Sequence, residues 1–529
     1  MRTRQIQIPT ILLLLLLIIT GCSSSSDNDV QWRACPDYIN SNTDGKAEGA
    51  FVTVPVNYER PFDETIDLFI WRIKGASPDS EKKGNIWFIQ GGPGEASISF
   101  SIYLPFLAAA YPDWDYYSMD HRGVGNSNCL ECPTAAPDGE ITPENAAACY
   151  DEVQTLLNGT LGSYNVTNAA KDLLTVINRT NGSGKTFVYG ASYGTYLLQR
   201  FMTMYPDSVD GVILDSIVPS DSKPLDNYDR NFNDAGRQIM QQCADDDVCS
   251  CRLSEIAADP WDAMEIVFGM IDEGSLCDAF SSITRKDLRN KLAALSSNTY
   301  GRALIPAVIY RLYRCNESDQ AAIAHLFPDT SESHGESKEF RSVESEEFRA
   351  VDKLNSSVLF ENIAISELYD GMSPRDAQEI VDAAYVSEDI VPDLAGIGFN
   401  GLWPAYDDSY TETTPEYDRP VLMINSTVDG HTPLSLAMGA TDYLHGPYHY
   451  FVTIPWASHG AVFESPVKGT LTPVDERVGV QIMMNFISDP FTEPDTSVLD
   501  SSYILEFSGS SVENKFMSEI LFGTDDMWD

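Results

Sequence analysis

The sequence is poor in basic residues and has no apolar run long enough to span a lipid bilayer. Lys and Arg number 34 against 79 Asp and Glu, which gives a formal net charge of −45. Such a chain repels nucleic acid and anionic lipid headgroups, so neither is expected as a partner. The acidic excess is typical of a heavily solvated surface and favours cationic substrates only weakly. There is no internal repeat, and the 529 residues exceed one typical domain while allowing a large core.

The N-terminal residues have the pattern of an export signal. Two arginines precede an apolar stretch at residues 11–19, and the sequence I-T-G-C follows, ending at Cys22. This resembles a bacterial lipoprotein signal, in which the cysteine is lipidated and becomes the mature N-terminus; such signals usually have Leu where this chain has Ile19. The alternative is a plain secretory signal with an incidental cysteine. Both predict export, and the first predicts lipid anchoring to the bacterial cell envelope, on its periplasmic face or at the cell surface.

Paired metal-ligand cysteines are also missing. Cys129 and Cys132 have a ligand-like spacing, but no second pair of that kind accompanies them, so disulfides are favoured over zinc. Nine cysteines remain besides Cys22, and an exported protein would pair most of them. The odd number leaves one unpaired, unless Cys22 is not lipidated. No metal or organic cofactor is implied.

The most informative motif is G-A-S-Y-G at residues 190–194. Residues 186–189 are β-branched and aromatic, as in a buried strand, and residues 193–204 carry apolar side chains at helical spacing. A G-x-S-x-G motif on a strand-to-helix turn lifts the serine Oγ clear of the sheet, where a substrate carbonyl can reach it. Ser192 is therefore predicted to be a nucleophile; the alternative is an ordinary glycine-rich turn.

Strand and helix patterns alternate around this motif, which predicts an α/β fold with a mostly parallel sheet. From residue 219 to residue 404 the strand pattern stops and helical spacing takes over, which indicates a helical cap large enough to cover an active site. Predicted strands lie at residues 50–56, 66–73, 85–90, 114–119, 186–189, 211–217, 420–425 and 448–454, and predicted helices at 97–110, 167–177, 193–204, 261–271, 287–295, 303–313 and 475–487. The predicted division is a signal at 1–22, a tether and N-terminal segment at 23–47, core at 48–218, cap at 219–404, core at 405–490 and an acidic tail at 491–529.

A serine nucleophile needs a base, and the base needs an orienting acid. Loops at the carboxyl ends of parallel strands converge on one crevice, so candidates should follow strands. Asp429 follows the strand at 420–425, and His459 follows the strand at 448–454. The order Ser192, Asp429, His459 is the one that α/β hydrolases use.

Other residues compete for these roles. Asp215 ends the strand after the nucleophile and is an alternative acid. His431 and His121 also lie near strand ends, but His431 follows the acid position and His121 falls in a loop that is interpreted as a brace. His445 and His449 lie before or within the last strand, so neither is favoured as the base.

Acyl transfer also needs two hydrogen-bond donors aimed at the developing oxyanion. The backbone N–H of Tyr193, next after the nucleophile, is one candidate. The other should come from the glycine-rich loop at residues 91–94, which follows the strand at 85–90. Gly92 is favoured there; the alternative is a tight turn without a catalytic role.

Together these motifs resemble the prolyl aminopeptidase and tripeptidyl aminopeptidase family. In chain order they are V-P-V-N-Y at 54–58, G-G-P-G at 91–94, D-x-R-G-x-G-x-S at 120–127, G-x-S-Y-G at 190–194, the Asp429 loop and S-H-G at 458–460. The resemblance covers about residues 49–489. It implies an α/β-hydrolase fold with a helical cap, and a serine exopeptidase that releases residues or short peptides from free N-termini.

Two residues that flank the glycine-rich loop at residues 91–94, the oxyanion loop, depart from the family pattern. Gln90 stands where many members have His, and Glu95 replaces a small residue. Neither change removes a catalytic group, but both border the place where the scissile residue would lie. The family's amine-binding carboxylates lie in the cap; here the candidates are Glu95 and acidic residues at 221–255 or farther into the cap.

Two other functions fit the same motifs. An esterase or lactonase could use the same three residues, and a surface-binding protein could retain an inactive hydrolase scaffold. The intact triad disfavours the second, because an idle scaffold has no need of all three side chains. A peptide is therefore the expected partner, and nothing in the sequence predicts an oligomeric state.

Overall fold

The structure is a computed structural model that describes residues 30–180, 184–328 and 354–529. Cys22, residues 23–29 of the predicted tether and N-terminal segment, and the acidic stretch at 329–347 lie outside these residues. The strands are β1 Arg33–Ala34, β2 Glu48–Pro55, β3 Thr65–Lys74, β4 Gly84–Ile89, β5 Trp114–Met119, β6 Lys185–Ala191, β7 Gly211–Asp215, β8 Val421–Ser426 and β9 His449–Ile454.

Helices surround this sheet and fill the interval between β7 and β8. Those of the first part of the chain are α1 Asp37–Asn40, α2 Leu104–Ala110, α3 Ala146–Leu156, α4 Val166–Thr180 and α5 Tyr193–Met204. The interval between β7 and β8 contains α6 Tyr228–Ala244, α7 Asp247–Leu253, α8 Pro260–Asp272, α9 Arg285–Ser296, α10 Ile305–Arg314, α11 Glu317–Leu326, α12 Ser357–Ile363, α13 Pro374–Asp382 and α14 Ile390–Phe399. Three more follow β8: α15 Leu434–Ala437, α16 Val478–Ser488 and α17 Val512–Phe522.

The strands form one twisted sheet in the order β1-β2-β3-β5-β4-β6-β7-β8-β9. The four strands β1, β2, β3 and β5 pair antiparallel, and every pair from β5 to β9 is parallel. Strands β4, β7 and β8 are buried along their whole length, which explains their nearly continuous apolar sequences. The predicted fold class, a mostly parallel α/β sheet with a large helical region, is confirmed.

The strand predictions agree closely with the structure, but one helix prediction is wrong. All eight predicted strands are present, with ends that differ by at most two residues. The single helix predicted at residues 97–110 is instead a 3₁₀ segment, Ser97–Ile102, followed by α2. Pro105 explains the break, because it lacks an N–H and its ring clashes with the carbonyl four residues earlier in a continuous helix. A proline is tolerated only in the first turn of a new helix, which is where it lies.

Helices α6 to α11 have a core of their own, to which the C-terminal residues contribute, whereas α12 to α14 pack into the core that includes the sheet. Phe232, Val308 and Leu292 pack there with Met527 and Trp528 from the end of the chain. The acidic C-terminal segment is therefore folded onto the helical region, a contact that no sequence pattern had indicated. No helix among the described residues is both long and apolar enough to cross a membrane.

Six cysteines pair, as the sequence analysis expected for most of them. The bonds join Cys132 to Cys149, Cys243 to Cys249 and Cys277 to Cys315. Because Cys132 is used in a disulfide, the ligand-like spacing of Cys129 and Cys132 does not form a metal site. Cys35, Cys129 and Cys251 are free thiols, so three cysteines are unpaired where the odd count predicted one.

Candidate active site

Ser192 lies on a sharp turn between β6 and α5. Its φ angle of 55° is in the left-handed region, which a non-glycine residue adopts only when its surroundings compel it. Its N–H donates to the Asp215 carbonyl at the end of β7, and its carbonyl accepts from the Thr195 N–H. Strand and helix approach so closely that a Cβ on Gly190 would lie 2.6 Å from the Gly194 oxygen. The motif therefore forms the strand-to-helix turn, or elbow, that the sequence predicted, and its backbone is strained at Ser192.

Asp429 and His459 meet at the same edge of the sheet. They lie on the loops after β8 and β9, whose last residues, Ser426 and Ile454, are aligned in register. The Nδ1 atom of His459 is 2.9 Å from Asp429 Oδ2 and 3.1 Å from Oδ1. Asp429 is buried and also accepts from the Thr432 N–H and hydroxyl. A proton shared at Nδ1 leaves Nε2 of His459 available as a base.

Asp215, the alternative acid, is engaged elsewhere. Its Oδ2 accepts the Tyr189 hydroxyl at 2.6 Å and the Val462 N–H at 2.9 Å. The second contact fixes the histidine loop onto the end of β7, directly beside the turn that carries Ser192. Asp215 thus holds the histidine loop and the Ser192 turn together at the end of β7. The described contacts place Asp429, not Asp215, against the His459 ring.

The electrostatics of this pair suit general base catalysis. Burial alone would raise the pKa of Asp429, but the adjacent His459 and its hydrogen bond hold that pKa well below its usual range. Burial opposes protonation of His459, yet the charge of Asp429 and the hydrogen bond between them raise its pKa above the ordinary value. The carboxylate therefore stays ionised and stabilises the imidazolium that forms during proton transfer.

The glycine-rich loop after β4 packs directly against the elbow. A Cβ on Gly91 would lie 2.8 Å from the Ser192 Cβ and 3.3 Å from the Tyr193 nitrogen. The Gly91 N–H donates to the side chain of Gln90, which also bonds Ser99, so this departure from the family pattern anchors the loop. Within the described part of the chain, the N–H groups of Gly92 and Tyr193 have no acceptor, as the oxyanion role predicted for them requires.

The other histidines fall into two groups. His121 is buried against the Tyr193 ring, and His449 bonds Gly446 and Arg419 at the start of β9, away from the catalytic edge. His431, by contrast, stacks on His459 with ring centroids 4.3 Å apart and an interplanar angle of 22°. Burial, followed by repulsion from His459, lowers the pKa of His431 to about 3, so it is a neutral neighbour of the His459 ring.

Three side chains at this site are close enough to be considered as metal ligands. Asp429, His431 and His459 each offer one ligand atom, and these atoms lie within 4.8 Å of one another. The two imidazoles are nearly parallel, so their in-plane lone pairs run side by side instead of converging on one point. The Nδ1 atom of His459 is also committed to Asp429. This geometry fits a hydrogen-bonded pair with a stacked neighbour better than a metal site.

Two glutamates give the site an acidic wall. Glu388 precedes α14, accepts the Tyr228 hydroxyl at 2.9 Å and lies 3.9 Å from His431 Nε2. Burial raises its pKa to about 7, and the nearby acidic Asp229 adds to this while Tyr228 opposes it. Glu95, which follows the glycine-rich loop, is exposed, yet desolvation by the surrounding protein raises its pKa as well. Both carboxyls interact electrostatically with His459.

Of these two glutamates, only Glu95 lies beside a motif that marks it in the sequence. The acidic residues expected at 221–255 include Asp229, which is already satisfied by Ser387 and by the backbone of α14. Glu388 falls in the broader expectation of a cap residue, and no local motif marks it. The fold brings it to the site, because α6 places Tyr228 and Phe232 against His431.

The pH dependence of turnover should report His459. Its pKa is raised, so the neutral base is lost as the pH falls through a value above about 6.5, the ordinary value for histidine. Asp429, Asp215 and Glu95, in that order of influence, favour its protonated form. We therefore expect kcat/KM to decline on the acid side of neutrality, measured from pH 5 to pH 9 on one peptide substrate. A rate that stays constant down to about pH 5 would contradict this role of His459.

Known proteins match parts of this chain. The sequence model of the α/β-hydrolase fold matches residues 85–243. Tripeptidyl aminopeptidase of Streptomyces coelicolor is 28% identical over 218 residues, which cover 37% of this chain and 39% of that protein. Serine protease Hip1 of Mycobacterium tuberculosis is 25% identical over 269 residues, covering 46% and 49%. A solved thermophilic esterase from Thermogutta terrifontis covers 84% of this chain and 99% of its own at 14% identity, with a TM-score of 0.34.

The matched regions span less than half of the length of these curated relatives. The family match includes β4, β6 and β7, the oxyanion loop and the elbow that carries Ser192. Sheet order and strand direction agree with the fold that this match describes. The chain therefore has the α/β-hydrolase fold, and its predicted similarity to the tripeptidyl aminopeptidases is confirmed.

Proposed function

We propose that this chain is an exported serine peptidase that cleaves peptide bonds near free N-termini. The observation that carries the proposal is the contact between His459 and Asp429, made at the sheet edge where the strained turn presents Ser192. The similarity of the chain to a tripeptidyl aminopeptidase and to a serine protease supports a peptide as substrate. The division into signal, core, cap and tail given above is part of the same proposal.

In the proposed mechanism, Ser192 Oγ attacks the carbonyl carbon of the scissile bond while His459 Nε2 takes the hydroxyl proton. Asp429 holds the imidazole in the required tautomer and stabilises its positive charge. The N–H groups of Gly92 and Tyr193 donate to the oxyanion of the tetrahedral intermediate. His459 then gives its proton to the leaving amine, which departs and leaves an acyl-enzyme on Ser192.

Water completes the cycle. It attacks the acyl carbon while His459 takes one of its protons. The second tetrahedral intermediate then collapses to release the acid, and His459 returns the proton to Ser192 Oγ. Each step uses the same pair of oxyanion donors and the same base. The protein alone supplies every group that this chemistry needs.

An aminopeptidase must also recognise an ammonium group, a compact cation that is costly to bury unless it is paired. Glu388 and Glu95 both interact electrostatically with His459, and neither pairs with a lysine or arginine among the described residues. Glu388 makes its one described hydrogen bond to the neutral Tyr228, so it retains capacity for a cation. We assign the substrate N-terminus to this acidic wall.

Acetylation of the substrate N-terminus tests this assignment. It removes the cation and leaves the carboxylates unpaired, so kcat/KM should drop on the order of 30-fold or more, as expected for losing about 2–5 kcal/mol. The experiment compares one peptide amide in its free and N-acetylated forms, beside a simple aryl ester. Glu388→Gln should bring the kcat/KM values of the free and the N-acetylated amide closer together.

Glu361→Gln provides the matched control for that variant. Glu361 is also a glutamate of the helical region whose pKa is raised by burial, but the charged group acting on it is Asp393, not His459. Replacing Glu361 should leave the ratio of kcat/KM between the free and the N-acetylated amide at its wild-type value. Equal rates on the two amides would overturn recognition of a free N-terminus, whereas fast ester cleavage with neither amide cut would overturn the peptidase proposal and favour the esterase.

We also propose that Cys22 carries a lipid that anchors the enzyme to the cell envelope. Growing cells should incorporate labelled fatty acid into the wild-type protein, and Cys22→Ser should release the protein from the membrane fraction. The measurement is the label in the purified protein together with its distribution after membrane sedimentation. A Cys22→Ser protein that stays in the membrane fraction, with no label in the wild type, would refute the anchor.

A further inference from the structure

One buried arginine in the helical region holds both loops that carry the proposed acid and base. Arg302 lies in the 3₁₀ turn Gly301–Leu304 before α10, and its side chain is 1% exposed. Its Nη2 donates to the Val428 carbonyl at 2.6 Å. Its Nη1 donates to the carbonyls of Trp456 at 3.0 Å and Ala457 at 2.7 Å. One planar group therefore spans the loops after β8 and β9.

The positions of these carbonyls give the contact its significance. Val428 immediately precedes Asp429, and Ala457 lies two residues before His459. Trp456, whose φ is 55°, is in a conformation that a non-glycine residue keeps only when it is held. The distance between Asp429 and His459 thus depends on two backbone segments that are both hydrogen-bonded to the guanidinium of Arg302.

The remaining contacts of Arg302 argue against a simple ion pair. Its Nε donates to the Ser296 carbonyl at the end of α9 at 2.8 Å, so all four of its described acceptors are backbone carbonyls. Burial lowers the pKa of Arg302 to about 10, and the Asp429 charge is the strongest influence opposing that shift. A buried cation is costly without a carboxylate partner, and the fixed fork of a guanidinium suits several carbonyls at once.

We propose that Arg302 is a positioning residue for the proposed triad, so that the helical region helps to set the catalytic geometry besides covering the site. The inference rests on the proposed function, because it acts through Asp429 and His459. Removing the guanidinium frees both loops to move relative to each other, which lengthens or misaligns the hydrogen bond between Asp429 and His459.

Arg302→Met should lower kcat on the order of 10- to 100-fold with little change in KM, since an error of about 1 Å in a reacting group can cost that much. Arg302→Lys keeps the charge but replaces the fork with one ammonium that fails to span both loops. The kcat of Arg302→Lys should also fall, but by a smaller factor than that of Arg302→Met. This variant also keeps the test decisive if the methionine variant does not fold.

Arg311→Met is the matched control. Arg311 is fully buried in the same helical region and also donates to backbone carbonyls, those of Met527 and Asp526, but it pairs with Asp319 and touches neither catalytic loop. Its loss should lower the unfolding temperature without changing kcat. This pair of variants separates positioning of the triad from general support of the helical region.

A double variant and a spectrum complete the experiment. If Arg302 acts through the acid and base, Arg302→Met should add little to the loss already caused by Asp429→Asn, whereas a structural role predicts that the two losses multiply. In protein labelled with ¹⁵N-histidine, the ring signals of His459 should shift in Arg302→Met and not in Arg311→Met. The spectrum needs no turnover, so it tests this inference even if the peptidase assignment fails.

The inference would be overturned by an Arg302→Met protein that unfolds at a lower temperature but keeps the wild-type kcat and His459 signals. Multiplicative losses in the double variant would overturn it as well. Conversely, shifted His459 signals in a protein that cuts esters and not peptides would support the positioning role while refuting the substrate.

Discussion

Ser192→Ala should reduce kcat on the order of 10⁴-fold or more, the typical loss when a triad member is removed. The reason is chemical, because alanine has no atom that can form the acyl-enzyme. The backbone should hardly change: the contacts that hold the turn are made by the Ser192 N–H and carbonyl, not by its hydroxyl. The measurement is single-substrate turnover of a free-N-terminus peptide, with the unfolding temperature of both proteins recorded alongside.

Ser458→Ala is a matched control for this variant. Ser458 is fully buried, adjoins His459, and its hydroxyl has no hydrogen-bond partner among the described residues. Its loss should leave kcat close to the wild-type value. Full activity in Ser192→Ala would refute the nucleophile assignment and with it the whole mechanism.

Asp429→Asn should cause the second large loss, again on the order of 10⁴-fold in kcat, because the asparagine amide favours the wrong histidine tautomer. In the wild type the carboxylate accepts from His459 Nδ1, which leaves Nε2 as the base. An amide at the same position can donate to Nδ1 instead, and the proton then sits on Nε2. The fold should persist, since asparagine keeps an oxygen to accept from the Thr432 N–H.

Asp215→Asn is the informative comparison, because Asp215 is the alternative acid. Its carboxylate holds Tyr189 and the histidine loop through Val462. Burial raises its pKa to about 6, although the hydrogen bonds from Tyr189 and Val462 oppose that shift. We expect a lowered unfolding temperature and a smaller loss of kcat than for Asp429→Asn. A larger loss in Asp215→Asn would transfer the role of acid to Asp215.

Much of the sheet was predictable because its signals are local. A strand buried on both faces, such as β8, is a run of apolar residues that ends where the chain turns polar. In a parallel sheet those ends share one edge, so residues that follow strands, such as Asp429 and His459, are natural candidates for one site. The elbow at Ser192 carries its glycines within five residues of sequence, and the structure uses them for close approach.

The parts that the sequence did not reveal depend on contacts between distant segments. Arg302 is 126 residues from its acceptor Val428 and 155 from its acceptor Ala457, so no spacing rule links them. Glu388 is 160 residues from Tyr228 and reaches the site only because α6 packs against His431. The break at Pro105 was, by contrast, readable from local sequence, and the helix predicted across it was wrong for that reason.

These distant contacts give the helical region two proposed roles. Its acidic wall, Glu388 together with Glu95, which follows the oxyanion loop, is the site assigned to the substrate's ammonium group. Its buried arginine supports the geometry of the acid and base. The two roles are separable, since the first should alter discrimination between free and acetylated substrates and the second should alter kcat on both.

The most direct test of the account is the identity of the residue that a fluorophosphonate modifies. Such a probe reacts with a serine only when a base activates it and an oxyanion site accepts the adduct, so it reports the proposed machinery without assuming a substrate. The protein should be labelled once, peptide mass spectrometry should place the adduct on Ser192, and Ser192→Ala should take up none. An unlabelled wild-type protein, or an adduct on any other serine, would contradict the account.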